Sequence, residues 1–495
     1  MKNNKYNLFF NPFYIFILII ASLLIALAIQ FNISFNYTTF ERIVYNVINM
    51  KNLNKTFEYI TLPTLKVSSS FIIILCISII PLLIYYIYDR EKYINIFKKK
   101  FLVYPISVKN WSLFLLCISI IMVMVTLNVP QFILNNINYT NLYEDYYVEY
   151  EQSKIKFPNE KRNLITIYVE SFENSVFSKK NGGVNDESYM PNLEKLTNSY
   201  INFSNNDKIG GFYQLNGTGW TAASLVGQTS GVPIYIKTKN KDNQYLDGAI
   251  TIGEVLEDNG YKNYFLMGSD AGFAERRSYF LQHGNYDITD YVNAIDKGLI
   301  HKDYYTWWGF EDRKLYDFAE DLLLEISKKE EPFNFSMLTA DTHFYDGFID
   351  SQCPRKFTSN YANSYYCTDL MLSKFLKWIQ KQDFYQNTTI IIVGDHLTMR
   401  DDFFKVSKGY ERTVYNLFIN SISKTDNTNN RSFTALDMYP TTLAAIGATI
   451  EGDRISLGTN LFSNKKTLME QFGIDKYEKE ISKMSKYYND EILKS

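Results

Sequence analysis

Four side chains in this chain are of the types that hold a divalent cation and activate a hydroxyl on it: Glu170, Thr221, Asp395 and His396. Glu170 closes the apolar run Leu164-Ile-Thr-Ile-Tyr-Val169, and Asp395-His396 closes Thr389-Ile-Ile-Ile-Val-Gly394. Carboxylates are hard oxygen donors and imidazole is a borderline nitrogen donor, a set that suits Mn²⁺ or Zn²⁺. Thr221 follows the loop Gly217-Thr-Gly-Trp220 and opens the helix-like stretch Thr221-Ala-Ala-Ser224. A helix start points N–H groups and the positive end of its dipole outward, where they hold phosphate. A threonine hydroxyl bound to a cation sheds its proton more easily and becomes a nucleophile. Each residue also has an ordinary reading: an Asp-His turn, a glutamate cap, a threonine N-cap. Position favours chemistry, because both acidic motifs follow β-branched strands whose ends open onto ligand sites.

A second set is weaker in type but similar in place. His343, in Asp341-Thr-His343, reads as an ordinary loop histidine or as a proton donor to a leaving group. Arg276 follows Gly268-Ser-Asp270-Ala-Gly-Phe-Ala-Glu275, where a planar guanidinium near a phosphate is useful. Glu173 is a candidate supporting or capping acid. Trp307-Trp308 reads as core or as the wall of a substrate groove.

These residues need strand ends to carry them. Strands are predicted over 164–169, 261–267, 333–339, 388–393 and 414–419. They alternate with helices over 190–199, from 221, and over 252–258, 313–329, 361–380 and 436–446. Such alternation predicts an α/β fold with a doubly wound, mostly parallel sheet, whose ligands sit beyond the carboxyl ends of the strands. Glu170, Asp270, Asp341 to His343 and Asp395-His396 all fall on that edge.

Ahead of this module lie three apolar spans, about 9–30, 67–88 and 110–129, each near the roughly 20 residues that cross a hydrocarbon core. The sequence divides accordingly into a transmembrane anchor over 1–130, a linker over 131–162, a catalytic domain over 163–465 and a charged helical tail over 466–495. Lysine and arginine crowd the 89–109 loop more densely than the longer 31–66 loop. That bias places the N-terminus and the 89–109 loop inside, and everything after the third span outside. The expected location is a multi-pass protein of the inner, cytoplasmic membrane with its catalytic domain on the periplasmic or extracellular side. A net charge of −2 gives no basic field for nucleic acid, so no nucleic-acid partner is expected. Of four cysteines, Cys353 and Cys367 lie in the exported part; an oxidising exterior favours their pairing over two free thiols.

The ordered motifs Tyr168-Val-Glu170-Ser171-Phe-Glu173, Gly217-Thr-Gly-Trp-Thr221, Gly231-Val-Pro233, Asp341-Thr-His343-Phe-Tyr-Asp346-Gly347 and Gly394-Asp395-His396-Leu-Thr-Met399 resemble the alkaline phosphatase/sulfatase superfamily. Within it, they are most similar to the membrane phosphoglycerol transferases, which include the lipoteichoic acid synthases and phosphoglycerol transferase I. The resemblance covers roughly residues 160–465. It implies an alkaline phosphatase/sulfatase-like catalytic domain and a divalent metal, Mn²⁺ first with Zn²⁺ or Mg²⁺ as alternatives, on Glu170, Thr221, Asp395 and His396. Thr221 would be the nucleophile, with Thr218 as its rival. Asp270, Arg276 and His343 would bind the phosphate or glycerol moiety, His343 also serving as a proton donor. The implied reaction moves a phosphoglycerol head group from a phospholipid, phosphatidylglycerol, to a hydroxyl of an exported glycan through a phospho-threonine. The alternatives are a phosphoethanolamine transferase acting on a surface glycan or lipid, and a non-catalytic membrane glycan-binding protein.

Overall fold

A computed structural model of the 495-residue chain describes residues 12–34, 40–48, 69–81, 83, 93–96, 99–102, 108–400 and 402–494. The chain divides into two compact units, Met1–Ile43 with Leu53–Leu134, and Val44–Asn52 with Asn135–Ser495.

In the first unit, helix α1 (Pro12–Ser34) is apolar all round, as a helix facing lipid must be. Helix α2 (Phe40–Ile48) follows it and runs from this unit into the second. Helix α3 (Ser69–Pro81) is shorter, and α4 (Val108–Thr126) is again long and apolar. Two polar contacts join these helices: Trp111 Nε1 donates to the Ser78 carbonyl at 2.9 Å, and the Ser22 hydroxyl lies 3.3 Å from that of Ser78. Among the described residues two helices, Pro12–Phe31 and Val108–Thr126, are long and apolar enough to cross a membrane, where the sequence predicts three spans. The predicted middle span, 67–88, is described as helix only to Pro81, and most of its second half lies outside the described residues. Between α3 and α4 the backbone forms a short antiparallel pair, Tyr93–Ile96 with Lys99–Leu102.

The second unit is built on seven strands: β1 (Asn163–Val169), β2 (Gly211–Phe212), β3 (Lys262–Met267), β4 (Asp287–Thr289), β5 (Phe333–Leu338), β6 (Thr388–Gly394) and β7 (Val414–Ile419). Their order across the sheet is β2-β7-β6-β1-β5-β3-β4. The run from β6 to β4 is parallel, and β7 and β2 join antiparallel at one edge. The mostly parallel α/β sheet expected from the sequence is therefore present. The helices that frame the site are α5 (Thr221–Ser230), α6 (Arg276–Gln282), α7 (Asp312–Ile326) and α8 (Asn360–Ile379).

Alternation along the strands assigns side chains to two separate cores. Leu164 and Tyr168 of β1, with Ile391 and Val393 of β6, pack on one face, together with Ala222, Leu225 and Val226 of α5. Ile165, Ile167 and Val169, with Ile390 and Ile392, pack on the other. A period of two carries this pattern one step past each strand, so Glu170 and Asp395 leave on the α5 face.

Two segments belong to the same core that the sequence reading set outside the catalytic domain. Leu142 and Tyr143 of the expected linker are buried, and backbone bridges join 148 to 456 and 156 to 449. In the expected tail Leu468, Tyr477, Ile481, Tyr488 and Ile492 are buried. The reason is aromatic packing, with Tyr143 edge-on to Tyr488 at 5.6 Å and Tyr488 on Tyr235 at 4.9 Å.

Candidate metal and nucleophile site

β1 and β6 are neighbours in register, Val169 opposite Gly394, so the next residues, Glu170 and Asp395, emerge side by side. Gly394 is required there, because a Cβ on it would lie 2.0 Å from the Phe172 carbonyl oxygen. The ligand atoms of Glu170, Asp395 and His396 all lie within 4.8 Å of one another. His396 Nε2 stands 3.6 Å from Glu170 Oε1 and 3.3 Å from Asp395 Oδ2. At most 3% of any of the three is exposed.

Neighbouring groups fix each ligand. Glu170 is gripped at its backbone by two threonines from the end of β5: its N–H donates to Thr339 Oγ1 at 3.1 Å, and Thr342 Oγ1 donates to its carbonyl at 2.5 Å. The Ser171 hydroxyl donates to Glu170 Oε1 at 2.6 Å. Asp395 Oδ1 accepts the N–H groups of Ser171 and His396, both at 2.7 Å. Its Oδ2 is buried and accepts no hydrogen bond. His396 Nδ1 faces the Leu397 carbonyl at 2.7 Å. A carbonyl can only accept, so Nδ1 carries a proton and Nε2 is turned toward the two carboxylates, where in the neutral tautomer its lone pair would be offered to a cation. Burial, and next the charge of Asp395, hold the Glu170 carboxyl well above the usual carboxylate range. Two buried acids, one bare carboxylate oxygen and one imidazole lone pair fit a divalent cation.

Thr221 Oγ1 completes the cluster, 3.4 Å from Glu170 Oε2 and 3.3 Å from His396 Nε2. It occupies the first position of α5. Trp220 before it is extended and gives no side-chain cap, and the first helical bond runs from Ser224 N to the Trp220 carbonyl. The first N–H groups of α5 are therefore not consumed by a cap. The loop turns at Gly217, whose φ of +77° suits glycine. Thr218 is turned away from this cluster: it is 1% exposed, and its hydroxyl bonds the Leu215 carbonyl and N–H at 3.0 Å each.

Of the remaining sequence candidates, Asp270, Arg276 and His343 lie outside this cluster, in the segments after β3 and β5 and at the start of α6. Arg276 is 6% exposed and donates to the carbonyls of Phe273 (3.0 Å) and Asp270 (2.9 Å) and to Ser269 Oγ (3.3 Å). Nη1 takes part in none of these. Burial pulls its pKa down to about 10, against the charges of Asp270 and then Glu170, so the guanidinium and the Glu170 carboxylate share one field. Asp270 itself is spent locally, its Oδ1 accepting the Gly272 N–H at 2.7 Å. His343 is outside the metal cluster; Nδ1 faces the Phe344 carbonyl at 2.9 Å, and its ring meets Trp308 edge-on at 4.7 Å. Trp307 Nε1 donates to the Ala340 carbonyl at 2.8 Å, so the tryptophan pair braces the histidine loop. Cys353 and Cys367 are joined in a disulfide that ties this loop to α8. Glu173 is fully buried; it takes Arg412 (2.8 and 2.6 Å) and the Thr398 N–H (3.0 Å), and so braces the loop after His396.

Three supporting residues escaped the sequence reading. Gln214 Oε1 accepts the Leu397 N–H at 3.0 Å, linking the segment before the Gly217–Trp220 loop to the loop after His396. Glu478, from the expected tail, accepts the Asn216 N–H at 3.0 Å. Thr339 clamps Glu170 from the next strand. Each acts across a long sequence separation, and no local pattern marks it.

A Sulfatase family model matches residues 162–448. Phosphoglycerol transferase I of Xanthomonas campestris pv. campestris is 29% identical over 271 residues, covering 52% of this chain and 37% of that protein. Phosphoglycerol transferase I of Escherichia fergusonii is 29% identical over 284 residues, covering 55% and 36%. The matched region thus spans well under half the length of these curated relatives. Among solved structures, the lipoteichoic acid synthase LtaP of Listeria monocytogenes is 19% identical, with a TM-score of 0.49 over 65% of this chain and 80% of that one. The lipooligosaccharide phosphoethanolamine transferase EptA of Neisseria meningitidis is 14% identical, with a TM-score of 0.47 over 88% and 84%.

Proposed function

The chain belongs to the Sulfatase family, and from that premise we propose that it transfers a phosphoglycerol head group from phosphatidylglycerol to a hydroxyl of an exported glycan. The observation that carries this reading is the position of Thr221 Oγ1 within 3.4 Å of Glu170 and His396, at the uncapped start of α5. The curated relatives named phosphoglycerol transferase I supply the head group.

Glu170, Asp395, His396 and Thr221 would hold the cation, Mn²⁺ in our reading. Such an ion lowers the pKa of the bound hydroxyl and offsets charge on the phosphate oxygens. Thr221 Oγ1 attacks phosphorus and releases its proton to solvent water. The bond from phosphorus to the diacylglycerol oxygen breaks, and that oxygen takes a proton from His343. Because Nδ1 of His343 is committed to the Phe344 carbonyl, the proton leaves from Nε2 of the doubly protonated ring. Glycerophosphate is left esterified to Thr221, with its phosphate oxygens facing the first N–H groups of α5 and Arg276. The acceptor hydroxyl then attacks phosphorus, His343 takes its proton, and Thr221 Oγ1 leaves and regains a proton from water.

A three-span, N-terminus-inside topology goes with this chemistry. Tyr45, between α1 and α3 in sequence, is fully buried in the unit that holds the site. Residues 44–48 and the catalytic sheet, which belong to one compact unit, therefore share one side in this reading. If α1 and α4 both cross, the chain between 48 and 108 must cross an odd number of times. Ser69–Pro81 is the apolar helix described in that interval, which supports it as the core of a middle span.

The test is mass spectrometry of the purified protein after incubation with phosphatidylglycerol, with phosphatidylethanolamine as a parallel arm. A glycerophosphate adduct on Thr221, absent from Thr221→Ala, is expected. An unmodified threonine, or an adduct placed by fragmentation on Thr218, overturns the assignment; an adduct only from phosphatidylethanolamine overturns the head group.

A further inference from the structure

Arg276 follows a turn of two left-handed residues, neither of them glycine: Ala274 at φ 54° and Glu275 at φ 62°. Such residues are disfavoured by the clash of Cβ with the backbone and persist only where surrounding contacts over-determine them. The contacts are present. Glu275 Oε2 takes Lys239 Nζ at 2.9 Å and the Ser278 hydroxyl at 2.7 Å. Asp290 takes the Ala271 N–H at 2.7 Å and the Arg277 guanidinium. The Ala274 carbonyl is held by a residue 229 positions away, the hydroxyl of Tyr45, at 2.9 Å.

Tyr45 has one proton, and a carbonyl can only accept, so that proton is committed to Ala274. The Tyr245 hydroxyl, 3.2 Å away, must then donate to Tyr45. The Tyr45 ring also lies against Trp220, with centroids 5.4 Å apart. Trp220 immediately precedes Thr221, and its Nε1 is buried without a hydrogen bond, so packing alone sets where this indole lies. One side chain thus touches both the turn that presents Arg276 and the residue that leads into α5.

We propose that Tyr45, carried by the segment between the first two apolar helices, is a positioning residue that holds the Arg276 turn and Trp220 in the geometry that binds the transferred head group. The proposal rests on the transferase reading above for the identity of that group. The placement of the turn stands without it.

The test uses the full-length protein in detergent, as wild type, Tyr45→Phe, Tyr245→Phe, Arg276→Ala and the Tyr45→Phe/Arg276→Ala double variant. Phenylalanine keeps the ring on Trp220 and removes only the hydroxyl. Hydrogen exchange at the amides of Phe273, Glu275 and Arg277, which bond within the turn, should quicken about tenfold in Tyr45→Phe and stay unchanged in β6. Glycerol phosphate, titrated by calorimetry, should bind Tyr45→Phe about five- to tenfold more weakly than wild type. On the Arg276→Ala background the Tyr45→Phe change should have no further effect on that affinity. Tyr245→Phe, which leaves the bond to Ala274, should behave as wild type in both measurements. Unchanged exchange in the turn overturns the proposal whatever reaction the protein runs. Faster exchange with unaltered glycerol phosphate binding, or losses that multiply with those of Arg276→Ala, reduces Tyr45 to a structural residue and also overturns it. If wild type neither binds glycerol phosphate nor uses phosphatidylglycerol, the transferase reading fails, and exchange together with the affinity for inorganic phosphate decides the role of Tyr45.

Discussion

Glu170 and Asp395 reach the site at the ends of two adjacent parallel strands, whereas Arg276 reaches it from a turn of two left-handed residues. The carboxylates need little beyond strand register: Val169 faces Gly394, and one more residue on each strand puts both acids on the α5 face. Arg276 needs a set of side-chain bonds that converge from Tyr45, Lys239 and Asp290. Register is part of the sheet and survives loss of any one contact. A strained turn depends on each of its ties, so its geometry is adjustable by distant substitutions.

That contrast orders the outcomes of mutation. Asp395→Asn or Thr221→Ala should cost at least about a thousandfold in turnover of phosphatidylglycerol with little change in the melting temperature of the metal-free protein, because the strand ends and the start of α5 stay in place. A chelator should remove turnover and, if the cation binds only the folded chain, lower the melting temperature, and added Mn²⁺ should restore both by mass action. Retained activity in Thr221→Ala would break the comparison at its root. Arg276→Ala should cost roughly 10- to 100-fold, and Arg276→Lys nearly as much, because one point charge cannot bond the loop and face the site together. Thr218→Ala should leave turnover within a few-fold and lower stability by about 1 kcal/mol, since it strands the Leu215 N–H while the Leu215 carbonyl keeps the backbone N–H of residue 218. An inactive, stably folded Thr218→Ala protein would return the nucleophile role to that residue.

The smallest effect concerns the buried acids behind the His343 loop. Asp312 accepts the N–H groups of Ala340 and Asp341, and Asp341 accepts that of Asp312 in return. Burial pushes the Asp312 carboxyl up to about 7, and burial with the neighbouring Asp312 charge raises Asp341 well above the usual range. A folded-state pKa above the unfolded value of about 4 means that the native form keeps a proton that the unfolded chain has released. The contribution of this pair to stability is therefore largest in acid and declines as pH rises from about 4 to 7. Melting curves of Asp312→Asn across that interval should be flatter than those of wild type; an identical slope would remove the pair as the source.

What the sequence disclosed follows the same division. The runs ending at Val169 and Val393 are β-branched and bounded by polar residues, so strands β1 and β6 and the acids after them are legible from local pattern. Thr221 at a helix start is legible from its Gly-rich loop. The short edge strand β2 and strand β4 carry too few residues to show a period. Gln214, Thr339 and Tyr45 act through partners distant in sequence, and no local signal separates them from other polar or aromatic residues. The 466–495 segment misled because its charges sit on the outer face of amphipathic helices, while Tyr477 and Ile481 fill the core.

Glu478 gives the backbone N–H of Asn216, beside the Gly217–Trp220 loop, its acceptor from 262 residues downstream. Ribosomes make chains from the amino end, so the loop emerges long before its partner does. A half-made or truncated polypeptide would lack this acceptor, so the backbone just before Thr221 gains its full set of bonds only when nearly the whole second unit has been synthesised.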